Sequence, residues 1–483
     1  MTLSYIPSDT NDEGIFKATA SGILPNGKPV VVNADGTVSV ASGNDQGLGT
    51  GVVYESASTN MISIVYDTAN NKIVVAYRDG GDSNYGKAVV GTVSGNSISF
   101  GSPVTFYNAA ATNMINTVFD TNSGKIVFVF KGSSNYGIAI VGTVSGTSIS
   151  FGSTTNFLAS TISADRIGLA YDSTNNKVVV GYRSNFLGKA RVGTISGTNI
   201  SFGTEVTFNG DASIGDPEIV YEPNAQKFVF VYSNTGNGSR GTAIVGTVSG
   251  TDISFGTAVV FNGANTNSFG ISYDANAQKV LIAYMDEGNS YYGTAIVATV
   301  SGTDISFGSE AVFAAVSSGL NQIVYDSSAK KHVIIYRYQV FQNYEGFIIP
   351  ATISGTSVSF GTAASFSLGS FTSGGLAYDP DEEKVVLAYT ENDNSSYGTA
   401  KVFTVASTNL TAENYIGIST GGTYASGSNA TVKIIGNTSN EQTSLTAGQA
   451  YYVQTDGTIG TTAADPSVFA GTAISATKLI VKT

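Results

Sequence analysis

Residues 270–313 read GISYDANAQKVLIAYMDEGNSYYGTAIVATVSGTDISFGSEAVF, and this stretch decides the fold. Short runs of β-branched and aromatic residues alternate in it with turns rich in Gly, Asn, Asp and Ser, which is the pattern of short strands joined by tight turns. The strands that it predicts are Gly270–Tyr273, Val280–Tyr284, Gly293–Val300 and Ile305–Phe313. The stretch therefore indicates one small antiparallel sheet of four strands.

The same pattern recurs seven times along the chain. Each copy carries an aromatic residue, an acid directly after it, and a lysine six positions after the aromatic residue. The pairs that define copies 1 to 7 are Tyr66-Asp67, Phe119-Asp120, Tyr171-Asp172, Tyr221-Glu222, Tyr273-Asp274, Tyr325-Asp326 and Tyr378-Asp379, and successive pairs lie 53, 52, 50, 52, 52 and 53 residues apart. Four strands in a period of that length are typical of a propeller blade. The sequence predicts an all-β fold with a seven-bladed β-propeller, and a stacked β array is the alternative.

The seventh copy lacks the Ser-x-Ser-Phe-Gly fourth strand that the other copies have after their third strand. A matching segment occurs at the other end of the repeat region, since residues 48–59 have the same character, position for position, as residues 255–266. We therefore expect the N-terminal segment to supply the fourth strand of the last blade. Such a closure removes two exposed sheet edges, which otherwise invite aggregation.

The loops of the four predicted strands, a to d, differ between the two faces of such a ring. The a–b and c–d turns are uniform, and the acid and the lysine of each a–b turn are expected to pair across it. The b–c loops vary and carry acids, amides and aromatic residues, so this face is the predicted ligand-binding face. The candidate residues are Asp79, Asp82, Asp286, Glu287, Tyr291, Phe341, Tyr344 and Asp393. Unconstrained solvated loops are the alternative interpretation.

Composition excludes several classes of function. The formal net charge of −12 repels phosphate backbones, so no nucleic-acid partner is expected. The chain has no Cys and a single His, His332, which excludes thiolate metal sites and leaves little material for a zinc site or a serine triad. It also has no Trp, whereas the Asp-box of propeller sialidases ends in Trp and the WD40 repeat contains one. We therefore predict that the chain is not an enzyme and has no catalytic residue. Glycoside hydrolysis by Asp79 and Asp82, or by Glu391 and Asp393, is the minor alternative.

No cofactor is predicted. The loops at 79–84 and 286–289 offer hard oxygen ligands that suit Ca²⁺, but neither matches an EF-hand loop, so calcium remains an alternative. The N-terminal residues show no basic and apolar signal pattern, and the longest apolar runs, such as residues 228–232, are too short for a membrane span. We expect synthesis in a cytosol and no insertion into a membrane.

The two chain ends predict a second, smaller module. Residues 23–40 indicate two strands around an Ala-Asp-Gly turn, and residues 430–435, 449–454 and 473–481 indicate three more. The predicted domains are thus 48–408 for the propeller, and 1–47 with 409–483 for a small β-sandwich or barrel. Since both ends of the propeller segment are expected on the face with uniform turns, the variable loops should point away from this module.

The terminal segments also carry a family resemblance. Residues 27–38, 451–458, 465–468 and 471–481 resemble the terminal modules of virion structural and tail-fibre-like proteins of marine tailed bacteriophages. The resemblance implies localisation in a virion after synthesis in the host cytoplasm, contact with other virion proteins, and a homo-oligomer. The expected function is a display protein that contacts a glycan or protein of the host surface. The alternatives are capsid decoration without a specific ligand and a polysaccharide-degrading enzyme.

Overall fold

The computed structural model describes residues 14–163, 166–210, 213–340, 343–369, 371–464 and 466–482. In these ranges the regular structure consists of β-strands and four short 3₁₀ helices, which confirms the predicted all-β class. The chain forms two compact units. Unit 1 contains the residues up to Gln46 and those from Ala406 onward, and unit 2 runs from Gly47 to Val405.

Unit 2 contains the seven copies, and in each one strand a pairs with strand b and strand b with strand c, all antiparallel. The strands that contain the a segments are Val52–Asp67, Asn113–Asp120, Gly168–Asp172, Glu218–Glu222, Val259–Asp274, Ala311–Asp326 and Phe371–Asp379. The b strands are Lys72–Asp79, Lys125–Lys131, Lys177–Ser184, Lys227–Asn234, Lys279–Asp286, Lys331–Val340 and Lys384–Glu391. The c strands are Tyr85–Ser94, Gly137–Ser145, Leu187–Ser196, Arg240–Ser249, Tyr292–Ser301, Asn343–Ser354 and Tyr397–Thr404.

Strand d is broken into two pieces, and both pair with strand c of the same copy. The first pieces of copies 1 to 6 are Ser97–Phe100, Ser148–Phe151, Asn199–Phe202, Asp252–Phe255, Asp304–Phe307 and Ser357–Phe360. The second pieces are Val104–Tyr107, Thr155–Leu158, Val206–Asn209 and Ala364–Ser367 in copies 1, 2, 3 and 6, and in copies 4 and 5 they are the first residues of the long strands Val259–Asp274 and Ala311–Asp326.

Copy 7 takes its strand d from the beginning of unit 2. Gly47–Leu48 pairs with Thr404 and Phe403, and Val52 and Val53 pair with Ala400 and Thr399. Val259 and Val260 pair with copy 4 in the corresponding register, so residues 48–59 occupy the place that their likeness to 255–266 predicts. The same 16-residue strand, Val52–Asp67, then continues as strand a of copy 1.

The aromatic-acid pair joins neighbouring copies. In copy 3 the carboxylate of Asp172 accepts hydrogen bonds from the backbone N–H groups of Thr174 and Asn175, both at 2.9 Å, so the acid caps its own a–b turn. The hydroxyl of Tyr221 in copy 4 donates to Oγ1 of Thr174 at 2.7 Å. Tyr66 of copy 1 makes the equivalent contact with copy 7, where its hydroxyl lies 3.0 Å from Oδ2 of Asp381. The first and last copies are therefore neighbours.

The glycine after each strand-d phenylalanine marks a second contact between copies. A Cβ on Gly308 of copy 5 would meet the backbone carbonyl oxygen of Thr356 in the c–d turn of copy 6. The same holds for Gly49, Gly101, Gly152, Gly203 and Gly256, whose counterparts are Asn96, Thr147, Thr198, Thr251 and Thr303. Gly361 is the exception, since a Cβ there would meet only side-chain atoms of Pro350 at 3.7 Å. Copy 7 has no Ser-Gly-Thr turn in its sequence to approach it.

Apolar clusters fill the spaces between adjacent copies. One of them combines Ile64 and Val75 of copy 1 with Val386 and Val402 of copy 7. The b strands supply much of the core, because their apolar residues alternate toward the two neighbours and are almost fully buried. Burying such a side chain contributes about 1.5–3 kcal/mol. Each sheet is thus covered on one face by the preceding copy and on the other by the following copy.

Unit 1 contains two five-stranded sheets. The first has the order Ile15–Thr19, Asn429–Ile434, Tyr415–Thr420, Pro29–Val32 and Val38–Val40, and the second has the order Thr438–Ser439, Lys478–Val481, Phe469–Ser475, Ala450–Val453 and Ile459–Gly460. A short pair, Gly43–Asn44 with Ser407–Thr408, accompanies them. The predicted strand at 473–481 is in fact two strands around a turn at residues 476–477. Side chains of both sheets, including Val31, Ile418, Val453 and Leu479, share one core.

No helix in the described part of the chain combines the length and the hydrophobicity that a membrane crossing requires.

Candidate ligand-binding site

The two acids of the first b–c loop are bound to one lysine. Nζ of Lys87 lies 2.7 Å from Oδ2 of Asp79 and 3.0 Å from Oδ2 of Asp82. Asp79 is buried and also accepts a hydrogen bond from the backbone N–H of Gly81 at 2.8 Å. The carboxylate of Asp79 therefore orders the loop. Glycoside hydrolysis by two carboxylates needs room for a substrate between them, but Nζ of Lys87 contacts both Asp79 and Asp82.

The acids of the loops of copies 5 and 7 lie in different surroundings. Asp286 is buried and caps a 3₁₀ turn by accepting the N–H of Gly288 at 3.0 Å. Glu287 accepts hydrogen bonds from the Nδ2 atoms of Asn265 and Asn267, each at 2.6 Å. Asp393 is exposed in the 3₁₀ turn of copy 7, beside Gly369. The predicted site residue Phe341 lies outside the described residues.

The b–c loops are more regular than their sequences indicate. Two consecutive residues with positive φ precede strand c in every copy whose loop is described, directly in copies 1, 3, 4, 5 and 7 and one residue earlier in copy 2. The second residue of the pair is Asn84, Asn135, Phe186, Ser239, Tyr291 or Ser396. Asn adopts this conformation readily, whereas a bulky aromatic residue there is strained. Copies 3 and 5 nevertheless place aromatic rings at it, and Phe186 and Tyr291 are 68% and 48% exposed.

Tyr291 and Tyr344, both predicted from the sequence, line the same cavity. It lies between copies 5 and 6 and has a volume of about 430 Å³. The other residues that line it are Met285, Ser317, Ser318 and Arg337. The carbonyl oxygen of Tyr291 accepts the N–H of Ser318 at 2.9 Å, which ties the loop of copy 5 to the strand that leads into copy 6. The cavity is thus built by two copies rather than by one loop.

Arg337 supplies the cavity with a positive charge. Its guanidinium carbon lies 4.5 Å from the ring centroid of Tyr344, which is a cation–π contact. Among the described residues, the guanidinium of Arg337 has no hydrogen-bond partner and no carboxylate oxygen within 4.0 Å of its nitrogens. Burial lowers the pKa of its guanidinium from the ordinary value. The cation is therefore partly desolvated and held only by a ring face.

The arginines at the same place in copies 1 and 3 do have partners. Arg78 donates to Oδ1 of Asn113 at 2.6 Å, and NH1 of Arg183 donates to the carbonyl oxygen of Ile214 at 2.7 Å. Both hydrogen bonds cross to the strand that leads into the next copy. In copy 5 the corresponding residue is Met285, which cannot donate such a bond to Ser318, the counterpart of Ile214. Met285 instead lines the cavity between copies 5 and 6.

Ser318 is left with an unused polar group. It is only 5% exposed, and its hydroxyl has no hydrogen-bond partner among the described residues. Buried polar groups are normally paired, so an orphaned hydroxyl in a cavity wall indicates a missing partner such as water or a ligand. The cavity therefore offers an aromatic face, a cation and a hydroxyl, which is a set suited to a polar, ring-containing ligand.

A second cavity of about 600 Å³ is lined by the beginnings of the a strands of all seven copies. Arg166 lies in it, 2.8 Å from Oε1 of Glu218, and NH1 of Arg166 also donates to the carbonyl oxygen of Phe269 at 3.1 Å. Burial raises the pKa of Glu218, although the arginine opposes this shift. Arg166 therefore links copies 3, 4 and 5 in the wall of this cavity.

No group of three or more His, Cys, Asp or Glu side chains converges as a metal site in the residues that the structure describes.

Sequence reasoning found the two tyrosines but missed Arg337, Met285, Ser317 and Ser318. One signal was available, because aligning the seven copies places Arg78, Arg183, Met285 and Arg337 at one position, six residues after the lysine. That alignment could have drawn attention to Arg337. It could not have shown that this arginine, unlike the other two, lacks a hydrogen-bond partner.

No protein-family model and no curated protein matches the sequence. Among solved structures, the Dos1 propeller matches with a TM-score of 0.44 at 9% identity and covers 74% of this chain and 95% of that one. A chain of the mitotic checkpoint complex matches with a TM-score of 0.46 at 9% identity, and the match covers 74% of this chain and 94% of that one. The K499G mutant of NanB sialidase from Streptococcus pneumoniae gives 0.43 at 8%, with 73% and 70% covered.

The prediction that the chain is not an enzyme is wrong as an inference from this fold and composition. NanB sialidase is an enzyme, and its structure is among those that resemble this chain. At 8–9% identity the likeness transfers no activity and no residue role to this chain.

Proposed function

We propose that this chain is a saccharide-binding display protein. In this proposal the seven copies form a closed seven-bladed β-propeller, and the cavity between copies 5 and 6 binds a sugar of a host surface. The unit made of the two chain ends, a small β-sandwich, attaches the protein to a virion and to further copies of itself.

The observation that carries the proposal is the convergence of Tyr291 and Tyr344 on one cavity. They come from different copies, 53 residues apart in the sequence, and only the packing of strand c against the next copy brings them together. Tyrosine rings give a flat apolar face that fits the C–H face of a sugar, and nearby hydroxyl and guanidinium groups fit its hydroxyls. The strained backbone of Tyr291 favours a functional role for its ring.

Two further observations support the closed ring. Strand d of copy 7 is residues 47–53, and one cavity is lined by all seven copies. Attachment to a virion is supported by the resemblance of the terminal segments. Unit 2 also begins and ends beside the c–d turn of copy 1, where Oγ1 of Thr404 lies 3.1 Å from Oδ1 of Asn96. Both ends of the chain thus leave unit 2 away from the b–c loops.

Binding of the full-length chain to an array of immobilised bacterial lipopolysaccharides and capsular polysaccharides tests the saccharide-binding role. We expect retention of the protein on at least one surface, and loss of about tenfold or more in affinity for Tyr291→Ala. Phe186→Ala is the matched control, because Phe186 is an exposed aromatic residue at the same loop position of copy 3 but lines neither described cavity. Equal binding by both variants, or no binding by the unmodified chain, would refute the role and leave decoration of the particle as the alternative.

Immunogold electron microscopy with antibodies against unit 2 tests the virion location. Labelling of purified particles at the tail or the capsid is the expected result. Recovery of the protein only in the particle-free fraction would refute attachment.

A further inference from the structure

We propose that the ligand of the cavity between copies 5 and 6 is an acidic saccharide, whose carboxylate binds Arg337 while its ring packs on Tyr291. This inference rests on the proposed saccharide-binding function and specifies the chemical class of the sugar.

The first argument is the state of the arginine. A guanidinium normally satisfies its donors, as Arg78 and Arg183 do at the same position of other copies. Arg337 is half-buried without such bonds among the described residues, and its face rests on Tyr344. Its five N–H donors are therefore free for a ligand, and their planar fork fits the two oxygens of a carboxylate.

The second argument is the composition of the cavity wall. Its described residues are a methionine, two serines and two tyrosines besides the arginine, and none of these described residues is an acid. The nearby acids Asp286 and Glu287 are already used, the first to cap a turn and the second to accept from two asparagines. A neutral sugar would leave the desolvated cation without a counter-ion, whereas a carboxylate would neutralise it.

The third argument is the orphaned hydroxyl of Ser318. It is buried in the wall beside Arg337 and has no described partner, so it can donate to a sugar hydroxyl or to a carboxylate oxygen. Tyr291, at 48% exposure, has a free ring face, unlike Tyr344, which the arginine covers. Tyr291, Ser318 and Arg337 thus fit a ligand that has a sugar ring, a hydroxyl group and a carboxylate.

The net charge of the chain makes this preference informative. At −12, the protein repels an acidic sugar at long range, so any preference for acid over neutral sugar has to arise from local contacts in the cavity.

The test compares methyl β-D-glucuronide with methyl β-D-glucoside, which differ only in the carboxylate at C6, by calorimetric titration of the full-length chain. We expect the glucuronide to bind about tenfold more tightly or better, as a charge-assisted hydrogen bond implies. Arg337→Gln should abolish the preference, and Arg337→Lys should keep part of it. Arg78→Gln is the matched control and should keep all of it. Circular dichroism of each variant verifies the fold.

Equal affinity for the two glycosides, or a preference that survives Arg337→Gln, would overturn the inference while the saccharide-binding function stands. If neither glycoside binds, the same variants are compared on the polysaccharides retained in the array. Retention there that is independent of Arg337, or confined to neutral polymers, also overturns it. An array without any retention refutes the proposed function instead, so the two failures are distinguishable.

Discussion

The contact between strand d of one copy and the c–d turn of the next depends on a glycine, and Gly308→Ala tests it. A Cβ on Gly308 would collide with the carbonyl oxygen of Thr356, which is backbone and cannot rotate away. Copies 5 and 6 would have to separate locally. Overpacking of this kind costs about 1–3 kcal/mol.

Gly361→Ala is the matched control. It occupies the same place in copy 6, but a Cβ there would make an ordinary contact of 3.7 Å with Pro350. Alanine restricts the unfolded chain equally in both variants, so this stabilising effect cancels in their difference. The two variants should therefore differ in their free energy of unfolding by about 1–3 kcal/mol, the cost of the overpacking, with Gly308→Ala the less stable.

Differential scanning calorimetry of the full-length chain measures this difference. The unfolding entropy of globular proteins is about 2.1 cal/mol/K per residue, so for a unit of the size of Gly47–Val405 the expected separation of the midpoints is roughly 1–4 °C. The larger of the two transitions should report unit 2. If Gly361→Ala lowers the midpoint as much as Gly308→Ala, or if Gly308→Ala leaves it unchanged, close approach of the next turn is not the reason for these glycines.

Two other substitutions test single buried groups. His332 is fully buried 3.6 Å from Asp274, and burial lowers its pKa below the ordinary 6.5. The unfolded chain then binds the proton more readily, so the free energy of unfolding should fall as the pH falls below about 6.5, by up to about 1.4 kcal/mol per pH unit. His332→Val restores the apolar residue type that the other copies have at this position, and it should remove the pH dependence of the free energy of unfolding, measured by urea titration at pH 7 and pH 5. An unchanged difference between the two pH values would show that His332 is not its cause. Asp79→Ala should lower the free energy of unfolding by about 1.5–3 kcal/mol, because the carboxylate of Asp79 is 3% exposed and bound to Lys87. Asp82→Ala should lower it by less than about 1 kcal/mol, because the side chain of Asp82 is 46% exposed. Equal losses would show that burial does not distinguish the two acids.

Much of the fold was predictable because the repeat is local and periodic. The alternation of apolar residues locates the strands, and the aromatic-acid pair with its lysine locates each a–b turn. The pattern did not reveal which groups the acid of each pair binds. The carboxylate of Asp172 caps the backbone of its own turn, and the hydroxyl of Tyr221 reaches across to that turn from the next copy. That arrangement joins residues of different copies, which a sequence pattern does not describe.

The candidate site was predictable only in part. The sequence by itself determined an all-β chain of seven similar units, the segment that completes the last of them, and Tyr291 and Tyr344 as candidate residues, although Tyr344, predicted in a loop, lies in strand Asn343–Ser354. Tertiary structure alone decided that these two rings share a cavity, that Asp79 and Asp82 are bound to Lys87, and that Arg337 lacks the partner that Arg78 has. The physical reason is that strand formation depends on neighbours along the chain, whereas a free cation or an open gap depends on which side chain the adjacent copy presents. At the cavity between copies 5 and 6, copy 5 presents Met285 at the position where copies 1 and 3 have Arg78 and Arg183.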